Sequence, residues 1–476
     1  MPEPEELGVP GTARDFVIFI GVNAAIGVLL YYLTGNMQQT IAGTIFIATV
    51  IGTLMFWRFR VAIAFIGIAL LLLTRTMDLE HTISFMNLDV IVFLIGMMIL
   101  VGLLREAGFF RWLMIKIVKL SGFSPRKLMI CFMALSTLMA SLVDEVTSIL
   151  FITAMILELC DYFEVDSVPY IIMAVLATNI GSSATVLGNP IGILIALRAE
   201  LTFEDFIRWA APVAFLSLLA LMPIALTWYR RDLKIFSEKM SAKRNPSSAL
   251  QLNEWAQVKD RKLFKGSFLL FITVIAFIAL HYRLELLLGL EKNTILVAAS
   301  IAGAGVVMLW QRRKAREYLE KDVDWWTLVF FMLLFAKAGA LKYTGLTDRL
   351  AQGILNLSGG AGPTFVITLI LWLSSFSSSV LDNVVLVAAL IPVVKSLEGA
   401  GIPAFPLWWA LLFGGCYGGN ITMVGSTANI VALGMLEKRK HYYMRFFKWF
   451  WIGLLGGIVP TIVAQFLLAI QQPLMP

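Results

Sequence analysis

Charge is what this chain lacks. Of its 476 residues 14% are Asp, Glu, Lys or Arg and 59% are hydrophobic, where soluble domains carry roughly a quarter charged residues. That shortage excludes a water-soluble globule. Cysteine is scarce as well: Cys131, Cys160 and Cys416 lie far apart, which excludes a disulfide framework and a thiolate metal site. The histidines, His81, His281 and His441, sit near the ends of apolar runs and do not cluster. The start, MPEPEELGVPGTARD, has no basic n-region, so no cleaved signal peptide is expected. A net charge of +7 is then a topology signal and not a nucleic-acid one.

Apolar runs are what is present. Stretches of about 20 residues, enough to cross a bilayer, recur along the chain, and mean hydropathy is +0.84. They are continuous and do not alternate with period 2, which excludes a β-barrel. The expectation is an all-α polytopic membrane protein in the lipid bilayer of the plasma or inner membrane. Spans are expected near 15–33, 40–57, 60–77, 88–106, 127–158, 168–199, 206–229, 264–282, 289–310, 325–342, 364–397, 405–436 and 446–470. Amphipathic stretches fall at 108–121 and 346–358. Residues 1–35 form a tail and an extra helix. Repeat 1 occupies 36–229, a cytoplasmic linker 230–263 and repeat 2 264–476. Basic residues fix the orientation. The linker, Gln311–Lys321, Glu437–Arg445, Arg105 to Lys127 and the turn with Arg58 and Arg60 are all placed inside.

The halves repeat. GLLREAGF (Gly102–Phe109) matches GALKYTGL (Gly339–Leu346), and KLSG ending at Gly122 matches NLSG ending at Gly359. TVLGNPIGI (Thr185–Ile193) matches TMVGSTANI (Thr422–Ile430), and the offset is 237 each time (339 − 102, 359 − 122, 422 − 185). LVDEV and VLDNV align at 238 (382 − 144). The threading runs one hairpin in from the cytoplasm and the other from outside, an inverted-topology plan of secondary transporters.

Two stretches carry chemistry. In SLVDEVTS, Asp144 and Glu145 interrupt an apolar run too long for one crossing, so the chain is read as a re-entrant hairpin over 126–160 with the acids at its tip. Each arm should be a half-helix of about 20 Å. A second hairpin over 363–398 carries SSFSSSVLDNVVL at its tip, whose hydroxyls can satisfy freed backbone groups. The alternative is a single tilted helix whose acids pair with buried bases. Ionisable groups within the membrane are costly and functional by default. The helices at 168–199 and 405–436 are read as broken, at NIGSSATVLGNPIG and GGCYGGNITMVGSTAN, because Gly, Ser, Thr, Asn and Pro crowd a membrane segment there. Unwound backbone at that depth must be buried in protein or line a wet cavity. The alternative is close packing through small residues.

In this order the motifs MNLDVIVFLIGMMILVGLLREAGFF, SLVDEVTSILF, NIGSSATVLGNPIGILI, VDWWTLVFF, SSSVLDNVVLVAALIPVVKSL and GGNITMVGSTANIVALG resemble the ion transporter superfamily. The closest branch holds the arsenite/antimonite permeases, P-protein and silicon-efflux relatives. Dicarboxylate/sodium symporters and NhaD-type antiporters are more distant. The resemblance covers nearly all of the chain from about residue 40 and is specific as an ordered set. It implies an inverted-repeat secondary transporter with two re-entrant hairpins, two broken helices, a central site and an elevator-like movement. It also implies a homodimer and a soluble ATPase subunit as partners. By position, Asp144 and Thr147 match the first tip motif, and Asp382 and Asn383 the second. Thr185, Gly188, Asn189 and Pro190 match the first unwound motif, and Asn420, Gly425, Ser426, Thr427 and Asn429 the second. Asn179, Ser182, Ser183 and Thr422 complete the polar loops. Two departures stand out. Glu145 replaces the usual Asn, and Asn189 replaces the usual Asp, as though one acid had moved from loop to tip.

The function expected is secondary transport of a small inorganic ion or oxyacid, such as arsenite, antimonite or silicic acid. No cofactor is expected. The coupling ion is H+ carried by Asp144, Glu145 or Asp382, or Na+ held by these acids with Thr147, Ser182 and Thr422. A sodium/proton antiporter and an anion or dicarboxylate symporter of the same superfamily are the alternatives. A channel would need a continuous pore. An enzyme would need a metal cluster or protease motif, and none is visible. Lys337, within a span, is read as snorkelling or packed. WWTLVFFM and FFKWFW are read as interfacial aromatic belts, and Cys416 as a neighbour of the second loop with a soft-ligand role open to it.

Overall fold

The computed structural model describes residues 13–56, 59–121, 124–242, 255, 258, 260–358, 362–440, 442 and 444–476. Arg58, Gly122, Gly359, His441 and much of the expected linker lie outside them. Among the described residues all regular secondary structure is helical, and eight helices are long and apolar enough to cross a membrane. In chain order the helices of every length are α1 (Ala13–Thr34), α2 (Met37–Met55), α3 (Arg60–Leu73), α4 (Leu79–Ser84), α5 (Leu88–Glu106), α6 (Phe109–Leu120), α7 (Pro125–Leu142) and α8 (Glu145–Phe163). Next come α9 (Val168–Gly181), α10 (Pro190–Ala199), α11 (Phe203–Asp205), α12 (Ala211–Trp228), α13 (Arg230–Ala242), α14 (Arg261–Ala279), α15 (His281–Leu288) and α16 (Thr294–Trp310). The remainder are α17 (Ala315–Glu317), α18 (Trp325–Tyr343), α19 (Leu346–Ser358), α20 (Pro363–Ser378), α21 (Asn383–Gly399), α22 (Ala404–Gly418), α23 (Thr427–Lys440) and α24 (Phe446–Gln471).

The helices group into two compact units, the first of residues 1–91, 324–362 and 387–404, the second of the rest. In the first unit α18 packs on α2, α3 and α4. Asn36 starts α2, its side chain accepting from the backbone of Gln38 and Gln39. Lys337 does not snorkel. It is fully buried on α18 and donates to Thr49 Oγ1 at 2.6 Å. Gly67 leaves the room it fills, since a Cβ there would meet Lys337 Nζ. Arg60 is also buried, donating to Thr327 Oγ1 at 2.9 Å and lying over the Phe330 ring. The first aromatic belt is thereby divided: Trp325 and Trp326 are exposed, Phe330 and Phe331 are core.

In the second unit α7 packs against α8, and both against α9. The turn between α7 and α8 is Val143–Asp144, and the one between α20 and α21 is Ser379–Asp382. The expected half-helices prove longer. α7 has 18 residues and α8 has 19, about 27–28 Å each. The interruptions in the two broken helices fall where expected, between α9 and α10 and between α22 and α23. The linker is not wholly a linker. Its first third is α13, which buries Leu233, Phe236 and Met240. Phe236 rests against Phe163 and Tyr170, and the Tyr170 hydroxyl donates to the Asp232 carbonyl at 2.9 Å.

Ion pairs join loops at the two ends of α16. Lys292, before it, pairs with Glu200 at 2.6 Å, and nearby Arg283 with Glu204 at 2.7 Å. Lys314, after it, pairs with Glu106, and Asp322 with Arg105. The 17 residues of α16 separate these sets by about 25 Å.

Candidate functional site

The site is assembled where hairpin tips meet unwound loops. Each tip aspartate starts a helix. Asp144 Oδ1 accepts from the amides of Val146 (2.7 Å) and Thr147 (3.1 Å), and Asp382 Oδ1 accepts from Val384 N at 3.0 Å. Asp382 Oδ2 also accepts from Thr427 Oγ1 at 2.8 Å, which ties the second tip to the second loop. These carboxylates spend oxygens on helix N-termini, where orphan amides favour an anion.

Glu145 is placed differently. It is 1% exposed, and its Oε1 accepts only a long 3.4 Å bond from Asn383 Nδ2. Among the described residues its Oε2 has no hydrogen-bond partner, and neither has Asn383 Oδ1. Glu145 and Asn383 are equivalent positions of the two halves (383 − 145 = 238), so the tips touch through matched residues. Asp382 and Asp144 are the charged neighbours of Glu145. Two buried oxygens without a partner among the described residues, with two further carboxylates nearby, have the chemistry to take a proton or a hard cation, since an unmet buried acceptor costs about 1–3 kcal/mol.

The loops are built differently again. Asn179 Nδ2 donates to Asn420 Oδ1 (2.7 Å) and Asn429 Oδ1 (2.9 Å), while its Oδ1 accepts from Ser426 Oγ at 3.0 Å. Asn420 Nδ2 reaches the carbonyls of Leu176 and Gly456, and Asn429 Nδ2 those of Gly419 and Thr422. Every amide hydrogen of this trio is engaged, so these asparagines lock one broken helix to the other. Asn189 caps α10 by accepting from Gly192 N at 2.7 Å, and its Nδ2 donates to Ser182 Oγ and Cys416 Sγ. Pro190 follows at the first helical position, which wastes no amide. Ser182 donates to the Asn179 carbonyl, and Ser183 to that of Ile180 and to Tyr417. Gly188 and Gly425 lie so close to the Ser182 and Ser378 carbonyls that neither has room for a Cβ. Thr147 sits in the first turn of α8.

Contacts recur in register between halves. Thr185 Oγ1 donates to the Ser141 carbonyl, and Thr422 Oγ1 to that of Ser379. The offsets are 237 (422 − 185) and 238 (379 − 141). A Cβ on Gly181 would strike the Thr137 backbone, and one on Gly418 the Ser375 backbone, again 237 and 238 apart (418 − 181, 375 − 137). The same hydroxyl and the same glycine crossing dock each hairpin on its broken helix.

Sequence reading missed Tyr417, Trp449 and the position of Cys416. Trp449, read as part of an interfacial belt, is fully buried and donates to the Asn420 carbonyl at 3.0 Å. Cys416 is also fully buried, beside Asn189 and within electrostatic reach of Glu145. The repeat register held the signal, because Cys416 stands opposite Asn179 (416 − 179 = 237). Among the described residues no three His, Cys, Asp or Glu side chains are grouped to hold a metal ion.

The citrate transporter family CitMHS matches residues 45–414, most of the chain, including both hairpin tips and the first unwound loop, and it ends just before the second unwound loop. The chain belongs to that family. It is a membrane transporter of the CitMHS type, within the ion transporter superfamily. An uncharacterized transporter of Mycobacterium tuberculosis strain H37Rv is 34% identical over 357 residues, 74% of this chain and 78% of the relative. The human P protein is 26% identical, covering 78% of this chain and 52% of that longer protein. The crystal structure of the YdaH transporter of Alcanivorax borkumensis, described as having an unusual topology, aligns with TM-score 0.51 at 16% identity. It covers 80% of this chain and 85% of that one. At that identity the likeness concerns the CitMHS fold alone.

Proposed function

We propose that this CitMHS chain is a secondary active transporter whose coupling cation is held by Glu145 and Asn383, with Asp144 and Asp382 beside them. The observation that carries the reading is the contact of Asn383 Nδ2 with Glu145 Oε1 at the meeting of the tips, where Glu145 Oε2 and Asn383 Oδ1 are both buried and lack a hydrogen-bond partner among the described residues. A proton on Glu145, or Na+ shared by both oxygens, satisfies them, and release of the ion leaves a buried acceptor unmet. That difference couples ion binding to the rest of the cycle. An elevator-like movement of the tip-and-loop assembly across the membrane is part of the proposal. So is the orientation in which residues 230–263, 311–321 and 437–445 face the cytoplasm. The ion pairs support it, because each joins loops that the basic-residue count assigns to one side.

The residues of the site carry acids and no Lys or Arg, which favours a small inorganic ion or an uncharged oxyacid as cargo. The family description favours a second reading, symport of a carboxylate such as citrate, and the acidic site would then require the carboxylate to travel with cations. Counterflow in proteoliposomes with arsenite, silicic acid, sodium, sulfate, a dicarboxylate and citrate separates the two. Glu145→Gln is expected to reduce gradient-driven flux to that of empty liposomes with expression intact. Unchanged sodium and pH dependence in this variant would remove Glu145 from the coupling.

A further inference from the structure

The 26-residue span Phe203–Trp228 ends in a feature that the transport site does not use. Between the last turn of α12 and the first turn of α13 lies a groove of about 710 Å³ lined by Pro223, Ile224, Thr227, Trp228, Arg230 and Arg231. Cavities of some 300–1,000 Å³ are the usual size of small-ligand sites. Both arginines are exposed. Neither forms an ion pair among the described residues, and Asp161 and Asp166 pair with Arg439, Lys440 and Lys448 instead. Asp232 follows them in the same turn, and its carbonyl is engaged by Tyr170.

The wall leading to the groove is apolar. Pro212, Phe215, Leu219 and Pro223 lie about one turn apart on the exposed face of α12. Phe215 is 58% exposed and Leu219 46%. The opposite face, with Val213, Ser217, Leu218, Leu221 and Ala225, is buried. An apolar track thus runs along a membrane span to an exposed tryptophan and two uncompensated guanidinium groups at the span's end.

We infer that this groove binds an anionic phospholipid. The phosphate sits on Arg230 and Arg231, whose planar donor forks match phosphate oxygens. An acyl chain lies along Pro223, Leu219 and Phe215. A soluble anion would satisfy the arginines and gain nothing from the apolar track, whereas a lipid uses both. Trp228 stands at the boundary, where indole rings favour the headgroup level.

The test is native mass spectrometry of the delipidated full chain, titrated with phosphatidylglycerol. Wild type should bind it in preference to phosphatidylcholine. Arg230→Gln/Arg231→Gln should bind it about thirtyfold more weakly, the equivalent of about 1 kcal/mol per basic residue. Thr227→Trp fills the groove and keeps both charges, and it should also weaken binding, so the proposal can be tested even if the double variant fails to fold. Lys234→Gln/Lys239→Gln removes two charges from the same helix outside the groove and should leave binding unchanged. Equal affinity in wild type and either groove variant, or equal loss in the lysine pair, would overturn the assignment. Displacement of the lipid by millimolar inorganic phosphate would make a soluble anion the occupant and overturn it too.

Discussion

At the scale of the residue, neighbouring acids have different surroundings. Asp144 is read as functional because it stands in an apolar run, and in the structure its Oδ1 caps α8. Glu145, one position on, points into the protein with an unmet oxygen. Asparagine caps a helix as well as aspartate does, so Asp144→Asn should keep its thermal midpoint. Asp144→Ala should lose about 1 kcal/mol, read as a lower midpoint in detergent. A midpoint that falls equally in both would mean that charge and not capping is what Asp144 supplies. Sequence alone could not separate the two acids, because their difference is one of direction: the cap position turns its side chain back to its own helix, and the next position turns it toward whatever is packed opposite. Lys337 makes the same point in the other unit, where the sequence left snorkelling and packing both open and Thr49 on α2 receives the buried amine.

At the scale of the element, the repeat is a docking rule. Gly181 and Gly418 let α7 and α20 cross α9 and α22 with backbones touching. Gly181→Ala and Gly418→Ala must each move backbone, and each should destabilise by about 1–3 kcal/mol, seen as a drop in thermal midpoint with loss of flux. Gly434 faces open space, so Gly434→Ala should leave both unchanged. The breaks in α9–α10 and α22–α23 were legible from their density of Gly, Asn, Ser and Pro, since those residues cannot remain helical without partners in lipid. The partners were not legible. Asn179 with Asn420 and Asn429 spans up to 250 positions of sequence, and nothing local in either half announces the other. Trp449 was misread for the same reason: an aromatic run near a span end is usually interfacial, and only packing shows that one of its rings turns inward.

At the scale of the whole molecule, basic residues and ion pairs agree on sidedness. Cysteines introduced at Lys239 and Arg312, in a chain whose own three cysteines are replaced, should label only from the cytoplasmic side. Cysteines at Glu291 and Thr364 should label only from the other. Labelling of Lys239 and Glu291 variants from one side would break the proposed threading. Membership of the CitMHS family fixes the class of protein, a membrane transporter, while the cargo depends on how an acidic site meets its ligand.

Composition and periodicity by themselves determined the helical membrane class, the two hairpin turns and the two breaks. All of these follow from local physics: the length of an apolar run, the cost of a charge in lipid, the inability of Gly- and Pro-rich backbone to stay helical. Tertiary structure alone decided that Glu145 meets Asn383, that Asn179 donates to Asn420 and Asn429 while those two donate to backbone carbonyls, and that α13 is a packed helix. Those are relations between distant segments, and the energy of a buried polar group depends on the partner that arrives, which no stretch of chain specifies alone.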